Sequence, residues 1–145
     1  MLPQNLDVSF LSDCRLDHVA IAVTDLESAI TFYELLGLKF SSHREDIPSE
    51  KVRVAFAAID QFAKVELLQS TDPVGPIAKF IAKKGEGLHH LCFLVQDITK
   101  KQNQLQIQGI EFIYDKAKEG ANNRLINFIH PRSTGGVLIE LSQKK

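Results

Sequence analysis

The strongest constraint on the fold is an internal repeat, because two copies of one unit limit the topologies that the chain can adopt. When the 145-residue sequence is shifted by 72 positions, residues 16–40 align with residues 88–112 without a gap. The 25 aligned positions contain six identities, several times the roughly one or two expected from average residue usage. The identical pairs are Leu16 with Leu88, His18 with His90, Val23 with Val95, Asp25 with Asp97, Gly37 with Gly109, and Phe40 with Phe112.

Each copy has the pattern of one strand, one helix and three further strands. In the first copy, residues 16–23 form an apolar run that is typical of a strand. Asp25 can cap the following helix, and Gly37 suits its left-handed C-terminal end. The apolar face of this helix is predicted to consist of Leu26, Ala29, Ile30, Tyr33 and Leu36. Further strands are expected at 38–44, 51–59 and 62–69, and the second copy predicts strand 88–95, helix 97–108, and strands near 110–114, 124–130 and 136–142.

The sequence therefore predicts an α+β fold in which two tandem βαβββ modules form a cupped mixed sheet around a metal site. We expect one domain over residues 1–145, with module one at about 15–70, a linker at 71–87 and module two at about 88–143. Pro76 can begin a short helix within the linker. Residues 1–13 are expected to form an extension or an added edge strand.

Composition excludes several classes of function. The net charge of -1 gives no bulk attraction to nucleic acid or to a membrane surface. The sequence contains no apolar run as long as a membrane span and does not start like a signal peptide. Cys14 and Cys92 fit a reducing compartment, and Cys92 is expected to be a small core residue rather than half of a disulfide. We therefore expect a cytoplasmic protein.

Histidine and glutamate occupy one face of four predicted strands. Alternate residues of a strand point to opposite faces, and one face of each of these strands is fully apolar and should pack under helices. The opposite faces carry His18, Glu66, His90 and Glu140. A carboxylate among small or apolar neighbours must be paired, protonated or bound to a metal. The neighbours on these faces are Ala20, Ala22, Leu68, Cys92, Leu94 and Leu138.

The repeat brings these four residues into one hypothesis. His18 and His90 are 72 residues apart, and Glu66 and Glu140 are 74 apart. If a pseudo-twofold axis relates the modules, all four side chains can converge. Two imidazoles and two carboxylates suit a divalent first-row metal in octahedral geometry, with two positions open for water or substrate. Any one of the four alone would more often be a hydrogen-bonded or solvated residue, but two matched pairs inside a repeat favour the metal.

The remaining histidines are not expected to be ligands. Alignment with His18 selects His90 of the adjacent pair, and strand parity predicts that His89 lies on the other face as a core residue. His43 lies in a polar run and His130 precedes Pro131, so both are expected to be solvated or turn residues.

The predicted modules and the four candidate ligands together resemble a known family. The paired modules and the His/Glu/His/Glu set are similar to the vicinal-oxygen-chelate superfamily, which includes glyoxalase I, extradiol dioxygenases, bleomycin-resistance proteins and methylmalonyl-CoA epimerases. The finer resemblance is to the methylmalonyl-CoA epimerase family and extends from about residue 15 to 143. Its more specific stretches are GEGLHHLCFLVQDI and HPRSTGGVLIEL.

The resemblance implies metal ligands at His18, Glu66, His90 and Glu140, and a reaction that inverts C2 of methylmalonyl-CoA through a metal-stabilised enolate. It implies one divalent metal per chain (Co, Mn, Ni, Zn or Mg) and a homodimer. Glu140 is the first candidate for proton transfer, with Glu66 or Glu50 serving the other face of the substrate. At least one epimerase has a proposed catalytic Glu in the strand that reads KVRVAF in this chain, at the position of Arg53, and Glu50 is the nearest carboxylate here.

Alternatives from other classes remain open. Glyoxalase I uses the same kind of metal cup, and Glu66, where some epimerases have Gln, favours it slightly. A metal-free binding module of the bleomycin-resistance type is the non-enzyme alternative, and the intact ligand set argues against it. Asn123 and Arg124 are candidates to contact the substrate carboxylate, or equally a turn followed by a solvated arginine.

Overall fold

The computed structural model describes residues 14–145. The first module comprises β1 (Cys14–Ala22), α1 (Leu26–Leu35), β2 (Glu45–Ile47), β3 (Val52–Ala58) and β4 (Lys64–Ser70). Helix α2 (Pro76–Lys84) follows, beginning at the proline that the sequence indicated. The second module comprises β5 (Gly87–Val95), α3 (Ile98–Ile107), β6 (Lys118–Gly120), β7 (Arg124–Ile129) and β8 (Ile139–Lys144). The extension or edge strand expected at 1–13 lies outside the described residues.

The eight strands form one mixed, cupped sheet in the order β2-β3-β4-β1-β5-β8-β7-β6. Strand β1 pairs in parallel with β4, and β5 pairs in parallel with β8. The antiparallel pair β1 and β5 joins the two halves at the centre. The strand order of one module is therefore the mirror of the other, and the predicted α+β fold with two βαβββ modules is confirmed.

Apolar residues divide between the two faces of the sheet as strand parity predicts. On the outer face, Leu26 and Ile30 of α1 pack on β1, β3 and β4, and Ile98 of α3 packs in the equivalent cluster of module two. Asp25 and Asp97 cap these helices by accepting hydrogen bonds from Ser28 N and Lys100 N. The inner face carries a separate cluster of Ala20, Ala22, Val52, Val54, Leu68 and Ile77 of α2.

The strands predicted at 38–44 and 110–114 are wrong. Only single bridges, Phe40 with Ala57 and Phe112 with Ile129, occur there, and the edge strands form later in the chain as β2 and β6. The apolar side chains that suggested strands pack instead beside the helices on the outer face. Leu36, expected on the apolar face of α1, follows the end of the helix and is exposed. Strand β8 begins at Ile139 rather than at 136.

Cys92 is fully buried, as expected of a core residue. None of the helices described between residues 14 and 145 combines the length and the apolar character needed to cross a membrane.

Candidate metal centre

The four side chains singled out by the repeat meet on the inner face of the sheet. One ligand-type atom from each of His18, Glu66, His90 and Glu140 lies within 4.8 Å of the others. His18 Nε2 is 2.9 Å from Glu66 Oε2 and 3.3 Å from His90 Nε2. His90 Nε2 is 2.7 Å from Glu140 Oε2. The two modules thus contribute one imidazole and one carboxylate each to a single cluster.

The surroundings of the cluster are repeated in both modules. Phe56 lies opposite Glu66 across β3 and β4, and its ring is edge-on to His18 with centroids 5.7 Å apart. Phe128 lies opposite Glu140 and is edge-on to His90 at 5.5 Å. All four candidate ligands are buried. The aromatic rings help to exclude water from the side chains that they cover, which strengthens electrostatic interactions there.

The charges of the cluster favour a cation at its centre. Burial lowers the pKa of His18, but the Glu66 carboxylate and the hydrogen bond to Asp17 raise this pKa well above its ordinary value. Burial raises the pKa of Glu140, and hydrogen bonds from His18 and His90 reverse the shift and hold it well below the usual range. Two buried carboxylates facing two imidazole nitrogens are a donor set that fits a divalent first-row metal.

Sequence parity missed one buried partner of the cluster. Strict alternation of faces would turn Asp17 away from His18, yet its Oδ2 lies 2.7 Å from His18 Nδ1. Arg124 Nη1 donates to Asp17 Oδ1 at 3.2 Å, and Lys64 Nζ is 3.5 Å from the same oxygen. Burial raises the pKa of Asp17, but the His18 hydrogen bond and the charges of Arg124 and Lys64 bring it well below its usual value. Burial also raises the pKa of the neighbouring Cys92 thiol to about 12, so this thiol stays neutral.

The prediction that His89 lies on the face opposite to His90 is wrong. The β1–β5 register shifts between Ala20 and Ile21, whose partners are His90 and Leu88, so His89 is an extra residue in β5. Such a β-bulge breaks the alternation of faces. The Nδ1 atoms of His89 and His90 are 2.8 Å apart. Burial lowers the pKa of His89 to about 4, and the charge of His90 adds to the effect.

Glu50 lines the same cavity as the candidate ligands. This cavity of about 70 Å³ is bordered by Glu50, Glu66, His89, His90 and Glu140, together with apolar side chains of β2, β3 and α2. Tyr114 Oη donates to Glu50 Oε1 at 3.1 Å, and Lys118 Nζ is 2.8 Å from the same oxygen. Side chains of module two therefore hold a carboxylate of module one at the cavity.

The other polar candidates lie elsewhere. Asn123 ends a 3₁₀ turn and has a positive φ of 54°. Arg124 is buried rather than solvated, and its guanidinium bonds to Asp17 and Ser142. His43 is exposed, and His130 accepts from Arg132 N in a turn, so neither joins the cluster.

A family model places this fold and site in a class. The model, described as Glyoxalase/Bleomycin resistance protein/Dioxygenase superfamily, matches residues 17–128. The match runs from within β1 through most of β7 and so includes both histidines of the cluster.

Relatives narrow the class. Mouse mitochondrial methylmalonyl-CoA epimerase is 40% identical over 131 residues, which cover 89% of this chain and 72% of the relative. The crystal structure of methylmalonyl-CoA epimerase from Mycobacterium tuberculosis superposes with a TM-score of 0.86 at 37% identity, covering 100% of this chain and 93% of that one. A substituted Streptomyces coelicolor methylmalonyl-CoA epimerase, solved in complex with 2-nitronate-propionyl-CoA, gives a TM-score of 0.87 at 31% identity, covering 92% and 99%. The chain belongs to the methylmalonyl-CoA epimerase family of this superfamily.

Proposed function

We propose that this chain is an isomerase that inverts C2 of methylmalonyl-CoA by removing a proton from one face and returning one to the other. The observation that carries the proposal is the cavity that Glu50, Glu66 and Glu140 line together with His89 and His90, beside the cluster that includes His18. Proton removal beside a thioester needs a base, and inversion needs an acid on the opposite side. Carboxylates that enter one cavity from two strands and a turn can meet both needs.

His18, Glu66, His90 and Glu140 would hold one divalent metal. The bound metal would supply Lewis acidity toward the thioester and carboxylate oxygens of the substrate. The protein supplies the ligand set and the apolar walls around it, and these walls keep water from the reacting carbon. The donor set is compatible with Co, Mn, Ni, Zn or Mg.

The carboxylates have different capacities to move protons. Glu140 hydrogen-bonds to His18 and His90, and as a ligand it must loosen before it accepts a proton. Glu66 has the same constraint. Glu50 lies outside the ligand set and is held by Tyr114 and Lys118, so it can exchange a proton without disturbing the ligands. Glu140 is our first candidate for proton transfer on one face, with Glu50 or Glu66 on the other.

Solvent exchange tests the proposal. Metal-replete protein incubated in D₂O with methylmalonyl-CoA should introduce deuterium at C2, as read by mass spectrometry, and a chelator should abolish the exchange. Turnover of methylglyoxal plus glutathione without deuterium exchange would establish the glyoxalase alternative instead. Binding of either ligand without any turnover would support a binding module and overturn the enzymatic proposal. The homodimer and the cytoplasmic location stay predictions.

A further inference from the structure

We propose that Asp17 and His89 are a repeat-related pair of positioning residues that orient the two imidazole ligands through their Nδ1 atoms. The proposal rests on the metal centre proposed above and assigns roles to two residues outside the ligand set. Asp17 and His89 are 72 residues apart, the same offset that relates His18 to His90. Each directly precedes one of these histidines in the sequence.

The same backbone irregularity places both side chains. In the β1–β5 ladder, Leu16 faces Phe93 and His18 faces Cys92, so Asp17 is an extra residue in β1. His89 is the corresponding extra residue in β5. A regular strand would turn each of them to the face opposite its histidine. The two bulges instead place each side chain within hydrogen-bond distance of the neighbouring ring, at 2.7 Å and 2.8 Å.

Asp17 and His89 contact the Nδ1 atoms of the two histidines, and this choice of atom defines them as positioning residues. The Nε2 atoms of His18 and His90 are the atoms that meet Glu66 and Glu140. An imidazole that offers Nε2 to a metal carries its proton on Nδ1, and a partner for this proton fixes both the tautomer and the ring orientation. Asp17 Oδ2 accepts it from His18, and His89 Nδ1 accepts it from His90. His89 must then carry its own proton on Nε2.

The two partners differ in charge, which makes the two ligands unequal. Hydrogen bonds to a carboxylate are roughly twice as strong as those between neutral groups. Asp17 therefore makes His18 the more electron-rich ligand, while Arg124 and Lys64 compensate the charge of Asp17. His89 supplies a neutral acceptor, and its ring is edge-on to Phe80 with centroids 4.8 Å apart.

Affinity for Co²⁺ provides the first measurement. Competition of each variant with a chelating indicator should show that Asp17→Ala weakens Co²⁺ binding by about 10–100-fold, the usual effect of removing such a partner. His89→Ala should weaken it by less. Asp17→Asn and His89→Asn should recover part of the loss, since an amide oxygen can still accept from Nδ1. Asp25→Ala, which removes a helix cap away from the site, is the control for general destabilisation and should leave Co²⁺ affinity unchanged.

Proton NMR of the Co²⁺-loaded protein separates positioning from a structural role. The unsubstituted protein should show two paramagnetically shifted Nδ1 protons that disappear in D₂O. Asp17→Ala should speed the solvent exchange of one signal and His89→Ala that of the other. If both variants leave affinity and exchange unchanged, the positioning role is overturned while the metal centre stands. If the unsubstituted protein binds no Co²⁺, the metal centre fails and this inference fails with it.

Discussion

The two modules share one backbone plan but differ in the chemistry of their outer cores. Ile30 of α1 packs near Ala55 in an apolar cluster of module one. The residues 72 positions later are Gln102 and Asn127, and both are buried. Asn127 Nδ2 donates to Gln102 Oε1 at 2.8 Å. An apolar pair in one copy thus corresponds to a hydrogen-bonded amide pair in the other.

The amide pair holds the backbone of residues 114–115, whereas the corresponding residues 42–43 of module one are exposed. Asn127 Nδ2 also donates to Tyr114 O at 2.9 Å, and Gln102 Nε2 donates to Asp115 O at 2.9 Å. The anchored Tyr114 is the residue that reaches Glu50 at the cavity. The repeat keeps the positions of the four clustered residues. Module two differs in using buried polar groups to position Tyr114, which contacts Glu50 at the cavity.

The largest expected effect concerns the shared ligand positions. His18→Ala or His90→Ala should remove most of the bound divalent metal, because each variant lacks one of the four proposed protein ligands of a single metal ion. His43→Ala is the matched control and should retain the metal, since His43 is exposed. Elemental analysis of the purified variants measures the metal directly. Full occupancy in His90→Ala would mean that the assigned site is wrong.

The second-largest expected effect is a difference in proton exchange between variants of Glu140 and Glu66, the carboxylates that the two modules contribute. Glu140→Gln keeps the size and one oxygen ligand but cannot accept the α-proton at neutral pH. Deuterium exchange at C2 should therefore fall by about 10²–10⁴-fold, the usual contribution of a general acid–base group. Glu66→Gln should lose less, since some members of the family have Gln there.

This comparison requires equal metal occupancy, so that a binding defect is not mistaken for a chemical one. Near-normal exchange in Glu140→Gln, together with inactive Glu66→Gln or Glu50→Gln, would move the base to another carboxylate. The proposed metal site would remain.

Sequence alone predicted the paired modules and the four clustered residues, because both depend on a repeat and on strand periodicity. It placed His89 on the wrong face and did not single out Asp17, because a bulge changes the face of one residue without changing the apolar pattern around it. It failed at 38–44 because Phe40 packs against the outer cluster instead of extending a strand. The contact of Tyr114 and Lys118 with Glu50 joins residues more than 60 positions apart, and no local pattern indicates such a pair.

The amide pair of module two can be tested by making it resemble module one. Asn127→Ala should lower the free energy of unfolding by about 2 kcal/mol or more, because Gln102 and the Tyr114 backbone lose partners inside the protein. Adding Gln102→Ile recreates the Ile–Ala pair of module one and removes one stranded polar group. Urea unfolding of the single and double variants measures this coupling. The loss in the free energy of unfolding of the double variant should be smaller than the sum of the losses in the two single variants. Strict additivity would contradict the coupling of the pair.

The smallest expected difference between the modules is in the loss of thermal stability when the N-terminal cap of α1 or α3 is removed. Asp25 and Asp97 each accept from a backbone N–H one turn into the helix, and Gln69 and Gln143 accept from Leu26 N and Ile98 N. Each helix therefore keeps one side-chain cap when its aspartate is replaced. The charges differ, because the first turn of α1 contains Glu27 whereas α3 has no acidic residue in its first turn.

The positive end of a helix dipole is stabilised by nearby negative charge. Asp97→Ala removes that charge from α3 and leaves Lys100 and Lys101 near the N-terminus, whereas Asp25→Ala leaves Glu27 in place. We expect the Tm to fall by about 2–4 °C in Asp97→Ala, as for a typical lost cap, and by less in Asp25→Ala. Differential scanning calorimetry at low and high salt measures both, and the gap should narrow with salt because screening weakens the charge effect. A larger fall in Asp25→Ala would show that burial of α1, rather than the charge at the helix terminus, determines the cost of losing a cap.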